Sequence, residues 1–175
     1  MKRALLLAVL ALIVAPFLQA QAARPSEVSF DLGFSPGGSS LSVVEKAIAA
    51  ARSELLMACY EFTSRDIAQA LEDAAHRGVK VRIVADWKAS RERYSEISAL
   101  AAWGLPIRLD RRYAIHHHKF IVIDEAALET GSFNYTTGAI EHNAENALVL
   151  WNVPQIARAY AAEWRRLWDE SQPAR

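Results

Sequence analysis

Short apolar runs alternate with amphipathic stretches along this chain, and the alternation predicts an α/β fold. Leu55 to Phe62 is an apolar run bounded by capping and turn residues, the mark of a strand buried on both faces. Val79 to Asp86 reads the same way. Between them, Thr63-Ser64-Arg65-Asp66 caps a helix running to His76, with Gly78 placed for a left-handed C-cap. Upstream, the turn-rich Ser35–Ser40 leads to Ser42-Val43-Val44-Glu45, a capping box that predicts a helix through about Arg52. A further helix is expected from Tyr94 to Trp103, stopped by Gly104 and Pro106, then a short strand from Ile107 to Leu109. Lys119–Asp124 and Ala127–Thr130 read as two tightly joined strands, Asn146–Trp151 as another, and Pro154–Trp168 as a closing helix. In that helix Ile156, Tyr160, Trp164, Leu167 and Trp168 recur at helical spacing, which favours core or subunit contact over base stacking. The sum is a mixed β-sheet flanked by helices on both faces, expected as one domain over residues 23–175.

The first residues are read apart from the fold. Met1, Lys2 and Arg3 precede an apolar stretch from Ala4 to Leu18, broken by Pro16, and Ala20-Gln21-Ala22 supplies a small-x-small site. That is the outline of a signal peptide over residues 1–22, which implies a periplasmic or secreted protein with no stable membrane insertion after cleavage. A retained anchor is the weaker reading, since the apolar run is short against the ~20 residues that span a bilayer. Without Lys2 and Arg3, 18 basic residues face 20 acidic ones, a net charge of −2 with histidine neutral. A general polyanion-binding coat is thereby excluded, and a nucleic acid would have to be attracted by a local basic patch. Cys59 is the single cysteine, so no intrachain disulfide exists; in its apolar run it reads as a small buried hydrophobe.

Chemistry concentrates in Ile115-His116-His117-His118-Lys119-Phe120-Ile121-Val122-Ile123-Asp124, followed by Gly131-Ser132-Phe133-Asn134. Strand parity puts His117 and Lys119 on one face and His116, His118 and Phe120 on the other. An imidazole beside an ammonium suits a phosphate: the ring serves as nucleophile or proton carrier near neutral pH, and the lysine meets the charge that builds on phosphoryl oxygens. Asp124 has the opposite parity and is poorly placed for proton transfer. Ser132 and Asn134 share parity and offer a hydroxyl and an amide to the same pocket, with Gly131 allowing close backbone approach. Parity also divides the three histidines between faces, so a metal site on them is disfavoured.

The spacing His117-x-Lys119-x4-Asp124, then x6 to Gly131-Ser132-x-Asn134, resembles the HKD signature of the phospholipase D superfamily. Phe34-Ser35-Pro36, Tyr60-x-Phe62-Thr63-Ser64, Arg77-Gly78-Val79 and Asn143-Ala144-Glu145-Asn146 extend the resemblance to that superfamily's small bacterial non-specific endonucleases. It implies a phospholipase D-like fold and a two-step displacement at phosphorus with no metal and no cofactor. His117 would form a phosphohistidine, Lys119 and Asn134 would bind the non-bridging oxygens, and Ser132 would support them. Glu145 would hydrogen-bond the other ring nitrogen of the nucleophile, and Asp124 would be chiefly structural. Two motifs are required. This chain has one, since neither His76 nor His142 has a lysine two residues on, so a homodimer is expected to complete the site.

Arg111 and Arg112 precede the motif, and Lys88, Arg91 and Arg93 follow Asp86; they are candidates for phosphates flanking the scissile one. Trp87 is the candidate for stacking a base, and Asp86 is read as a partner for a nearby arginine. His142, close to Glu145, is read as a border of the pocket or a structural residue. The leading function is cleavage of DNA or RNA, with phospholipid headgroup hydrolysis as the alternative. A catalytically silent nucleic-acid-binding module is disfavoured, because His117, Lys119, Ser132, Asn134 and Glu145 are all present.

Overall fold

The computed structural model describes residues 27–174. The signal segment expected over residues 1–22 lies outside them. In chain order the elements are β1 (Ser29–Ser35), α1 (Ser39–Ala50), β2 (Glu54–Cys59), α2 (Arg65–His76), β3 (Lys80–Asp86), a 3-10 turn (Ala89–Arg91), α3 (Ile97–Trp103), β4 (Ile107–Asp110), β5 (Lys119–Ile123), β6 (Ala127–Gly131), α4 (Thr137–Glu141), β7 (Glu145–Trp151), α5 (Pro154–Glu170) and β8 (Gln172–Pro173). All eight strands join in one sheet, ordered β1-β7-β6-β5-β2-β3-β4-β8. The pairs β2–β3 and β3–β4 are parallel and the remainder antiparallel.

Side-chain parity divides two cores across this sheet. Leu55, Met57 and Cys59 of β2, with Ile121 and Ile123 of β5, pack against α1, α2, α3 and α4. Leu56, Ala58, Phe120 and Val122 face α5, which buries Ala157, Ala161, Trp164 and Leu167 at helical spacing. Trp164 is fully buried and donates its indole N–H to the Met57 carbonyl at 2.7 Å. The architecture is therefore the mixed sheet with helices on both faces that the alternation of runs predicts.

Two helix starts, the end of β2 at Cys59 short of the expected Phe62, and one whole strand differ from expectation. Helix α1 starts at Ser39 behind Gly38 at φ 83, and Ser42 donates back to the Gly38 carbonyl at 3.2 Å, so the capping box does not form. The Ser39 hydroxyl instead accepts from the Phe34 amide and donates to the Phe34 carbonyl, tying the helix to the end of β1. Helix α3 starts only at Ile97, because the preceding residues make the 3-10 turn. Strand β1 was not expected, and its polarity is inverted. Gly33 and Ser35 are buried towards α1, while Val28, Phe30, Leu32 and Phe34 stand 62%, 67%, 47% and 57% exposed. Gly33 is required: a Cβ there would fall 2.4 Å from the Ser39 carbonyl oxygen. Helix α5 covers β2, β3, β5 and β6 but leaves this apolar stripe open.

Candidate active site

Antiparallel pairing gathers the candidate residues at one end of the sheet. Lys119 opens β5 opposite Cys59 at the close of β2, Gly131 closes β6 opposite Ala147, and Glu145 opens β7 opposite Ser35 at the close of β1. His117, Ser132, Asn134 and Glu145 therefore sit at that end with Lys119. Trp87 and Arg111 sit there too, following β3 and β4.

His117 is exposed, and its ring packs 4.9 Å from that of Tyr60. Lys119 donates from Nζ to the His117 carbonyl at 3.0 Å and lies 5.3 Å from the Tyr60 ring centroid. Partial burial lowers the Lys119 pKa below 10.5, an effect opposed by the charges of Glu145 and Glu61. Tyr60 thus holds both candidate phosphate-contacting groups; the sequence places it inside the apolar run Leu55–Phe62, whereas the strand ends at Cys59 and leaves Tyr60 free to meet them. Ser132 donates from Oγ to Glu145 Oε2 at 2.5 Å and accepts from the Asn146 amide at 3.1 Å and the Asn146 side chain at 3.2 Å. The other Glu145 oxygen accepts from Asn143 Nδ2 at 3.1 Å. Glu145 makes no hydrogen bond to His117 among the described residues, so the contact implied by the resemblance is not present within one chain. A Cβ on Gly131 would fall 2.1 Å from the Asn146 carbonyl oxygen, so only glycine lets β6 and β7 bring Ser132 to Asn146. Asn134 is half-buried, and its Oδ1 is buried without a partner.

Asp124 lies at the other end of β5, on the order of 17 Å from Lys119 along the strand. There it stands at φ 51, and its carboxylate accepts from the amides of Arg52 (2.9 Å), Ser53 (2.8 Å) and Glu54 (2.9 Å) and from the Ser53 hydroxyl (2.7 Å). Burial pushes its pKa up, but these donors outweigh it and hold the carboxyl below 3.8. The residue clamps the β5–β6 turn to the start of β2, far from any substrate at His117.

The three histidines diverge. His117 meets Tyr60, and His118 faces α5, with Nε2 3.9 Å from Glu163. His116 is buried: its Nδ1 stands 3.1 Å from Asp110 Oδ2, and its amide donates to Asp86 Oδ2 at 2.9 Å. Burial lowers its pKa despite the pull of Asp110, and a proton on Nδ1 is the one that this carboxylate can accept a hydrogen bond from. Asp86 pairs with no arginine among the described residues; its second oxygen accepts the amides of Lys88 and Ala89, both at 2.8 Å. Asp110 likewise takes the Arg112 amide at 2.8 Å. These two carboxylates, in register at the ends of β3 and β4, fix the segment that carries His117. In the sequence they look like ordinary strand endings, and only the pairing of the strands reveals the clamp. Among the described residues no group of three or more histidine, cysteine or acidic side chains is arranged to hold a metal.

Arg112 is turned away to Glu170 at 3.6 Å, whereas Arg111 and Arg91 lie 5.1 and 4.9 Å from the Trp87 ring centroid. His142 is exposed, with Nε2 3.5 Å from Glu141.

Residues 44–168 match the family described as cardiolipin synthase, PLD-like domain. Mouse mitochondrial cardiolipin hydrolase is 34% identical over 158 residues, covering 90% of this chain and 71% of that protein. The chain spans 54% and 56% of the dog and human counterparts. Among solved structures, the phospholipase D family member Nuc from Salmonella typhimurium superposes with a TM-score of 0.82 at 39% identity, over 85% of this chain and 99% of that one. NucT from Helicobacter pylori gives 0.76 at 25% identity, over 85% and 100%. With His117 and Lys119 at one sheet end and a family match over most of its length, the chain belongs to the phospholipase D-like family.

Proposed function

We propose that this chain is an exported, metal-independent phosphodiesterase that hydrolyses DNA or RNA as a non-specific endonuclease, its active site completed by a second copy of itself. The observation that carries the reading is the clustering of His117, Lys119, Ser132, Asn134 and Glu145 at one sheet end with a single motif per chain. A ring nitrogen of His117 attacks phosphorus as the P–O bond to the leaving oxygen breaks, and the second copy's His117 gives that oxygen its proton. The same second histidine then takes a proton from water, whose oxygen displaces the phosphohistidine and returns His117. Lys119 Nζ and the side-chain N–H groups of Asn134 donate to the non-bridging oxygens, and Ser132 with Glu145 orders that wall.

Dimerisation has support from the open apolar stripe of β1. Phe34 and Ser35 pair with Asn146 and Glu145, so the stripe runs directly to the candidate site, where a second copy would bury it. A nuclease is favoured by likeness to Nuc and NucT, whose chains it matches almost end to end. Export rests on residues 1–22 alone, and N-terminal sequencing of the mature protein from a periplasmic fraction tests it.

A phospholipid phosphodiesterase is the second reading, supported by identity to the mitochondrial cardiolipin hydrolases. Plasmid DNA, RNA and cardiolipin vesicles incubated in parallel with the purified protein in excess EDTA separate the two. Nucleic-acid cleavage is expected; lipid turnover without it reverses the assignment, and loss of all activity on chelation contradicts the metal-free mechanism.

A further inference from the structure

Trp87, Arg91 and Arg111 form a small assembly that the chemistry at His117 does not use. Arg91 ends the 3-10 turn whose preceding amides, those of Lys88 and Ala89, are held by buried Asp86. Arg111 follows buried Asp110, whose carbonyl accepts the Trp87 amide at 2.9 Å. Both guanidiniums rest on the half-buried Trp87 ring, at 4.9 and 5.1 Å from its centroid. Neither has a carboxylate partner among the described residues, in contrast to Arg65, Arg82, Arg112, Arg165 and Arg166.

A cation–π contact engages the flat face of a guanidinium and leaves its N–H edge free. Such an edge is a bidentate donor for a phosphate, already ordered before the ligand arrives. Trp87, Lys88, Arg111 and Tyr113, with Asp86 and Asp110 whose carboxylates are taken up by backbone amides and His116, also line a hollow of about 110 Å³, the volume of three or four waters. Because the Trp87 ring is engaged by two guanidiniums, its role is to hold them, and the base-stacking expected from sequence is not its first use.

We propose that this platform binds a backbone phosphate of a polynucleotide, flanking the one attacked at His117, an assignment that rests on the nuclease reading. The two sites share their anchors. Asp86 bonds the His116 amide directly, and Trp87 and His117 are each one residue further along, which keeps their Cα atoms within about 15 Å of each other. A repeating phosphate backbone reaches both; a small diester with one phosphate reaches only His117.

The double variant Arg91→Gln/Arg111→Gln tests this against wild type in two assays. With an oligonucleotide and with bis(p-nitrophenyl) phosphate as substrates, the variant is expected to raise the oligonucleotide KM roughly tenfold and leave turnover of the small diester unchanged. Binding of a fluorescent single-stranded oligonucleotide by anisotropy, in a His117→Asn background, is expected to lose about 0.7 units of salt slope, the equivalent of one single-strand phosphate contact. An unchanged oligonucleotide KM and slope, or an equal loss on both substrates, overturns the platform while leaving the nuclease reading standing. Slope-dependent binding by a wild type that cleaves no nucleic acid keeps the platform and overturns the nuclease reading. Absence of binding overturns both.

Discussion

Replacing Asp124 by asparagine separates a structural role from a catalytic one within the signature motif. The carboxylate accepts four hydrogen bonds from Arg52, Ser53 and Glu54. Asparagine keeps one accepting oxygen and turns an amide donor towards at least one donor it must face. A hydrogen bond to a charged group contributes about 1.5–3 kcal/mol net, and water reaches part of this surface, so a loss of about 2–4 kcal/mol is expected. For a domain of this size that lowers Tm by about 5–15 °C. The sign of the pH dependence follows from the lowered pKa of Asp124. Its contribution is fully present above the unfolded value near 3.8 and is lost as pH falls through the lower folded value, so wild type and variant converge below about pH 4. Because Asp124 lies at the opposite end of β5 from Lys119, turnover per folded molecule at 25 °C should stay within about threefold of wild type. Thermal unfolding at pH 7 and pH 3, combined with kcat on a small diester, gives both quantities. A hundredfold loss of kcat with unchanged Tm would refute the reasoning.

Further predictions concern buried groups behind the site. Glu129 is fully buried and donated to by Tyr135 at 2.7 Å, and burial raises its pKa to about 8. Its contribution is full below the unfolded value near 4.5 and is lost as pH rises to about 8, so wild-type stability should fall across that window by on the order of 5 kcal/mol. Urea unfolding from pH 5 to 9 should show Glu129→Gln losing that slope, and a wild type flat over the same range contradicts the assignment. Asp110→Ala leaves the His116 ring N–H and the Arg112 amide without their acceptor, at a cost of about 2–4 kcal/mol. Since His116 adjoins His117, kcat should fall more than KM rises; equal turnover at a temperature where both proteins are folded contradicts a positioning role.

Much of this was legible in the sequence because period and parity survive folding. The two-sided burial of β2 and β3, the cap at Ser64, the left-handed Gly78 and the shared face of His117 and Lys119 all follow from local pattern. Strand β1 was not legible, because its apolar residues point outward and its small and polar ones face α1, the reverse of the pattern for a sheet packed on its own core. The Asp86–His116–Asp110 clamp depends on β3 and β4 ending in register, which parallel pairing decides and local spacing does not. Tyr60 and the Trp87 platform likewise depend on which loops meet at one end of the sheet. The expected Glu145–His117 contact came from the resemblance, and within one chain Glu145 turns to Ser132 and Asn143.

The central claim is that each chain carries half an active site, and subunit mixing tests it most directly. Wild type is co-refolded with increasing proportions of His117→Asn, and activity is read on a small diester against the wild-type fraction. If each site needs His117 from both copies, activity falls as the square of that fraction, to about one quarter at equal mixing. A linear fall, to about one half, would mean that one chain holds a complete site and would contradict the account.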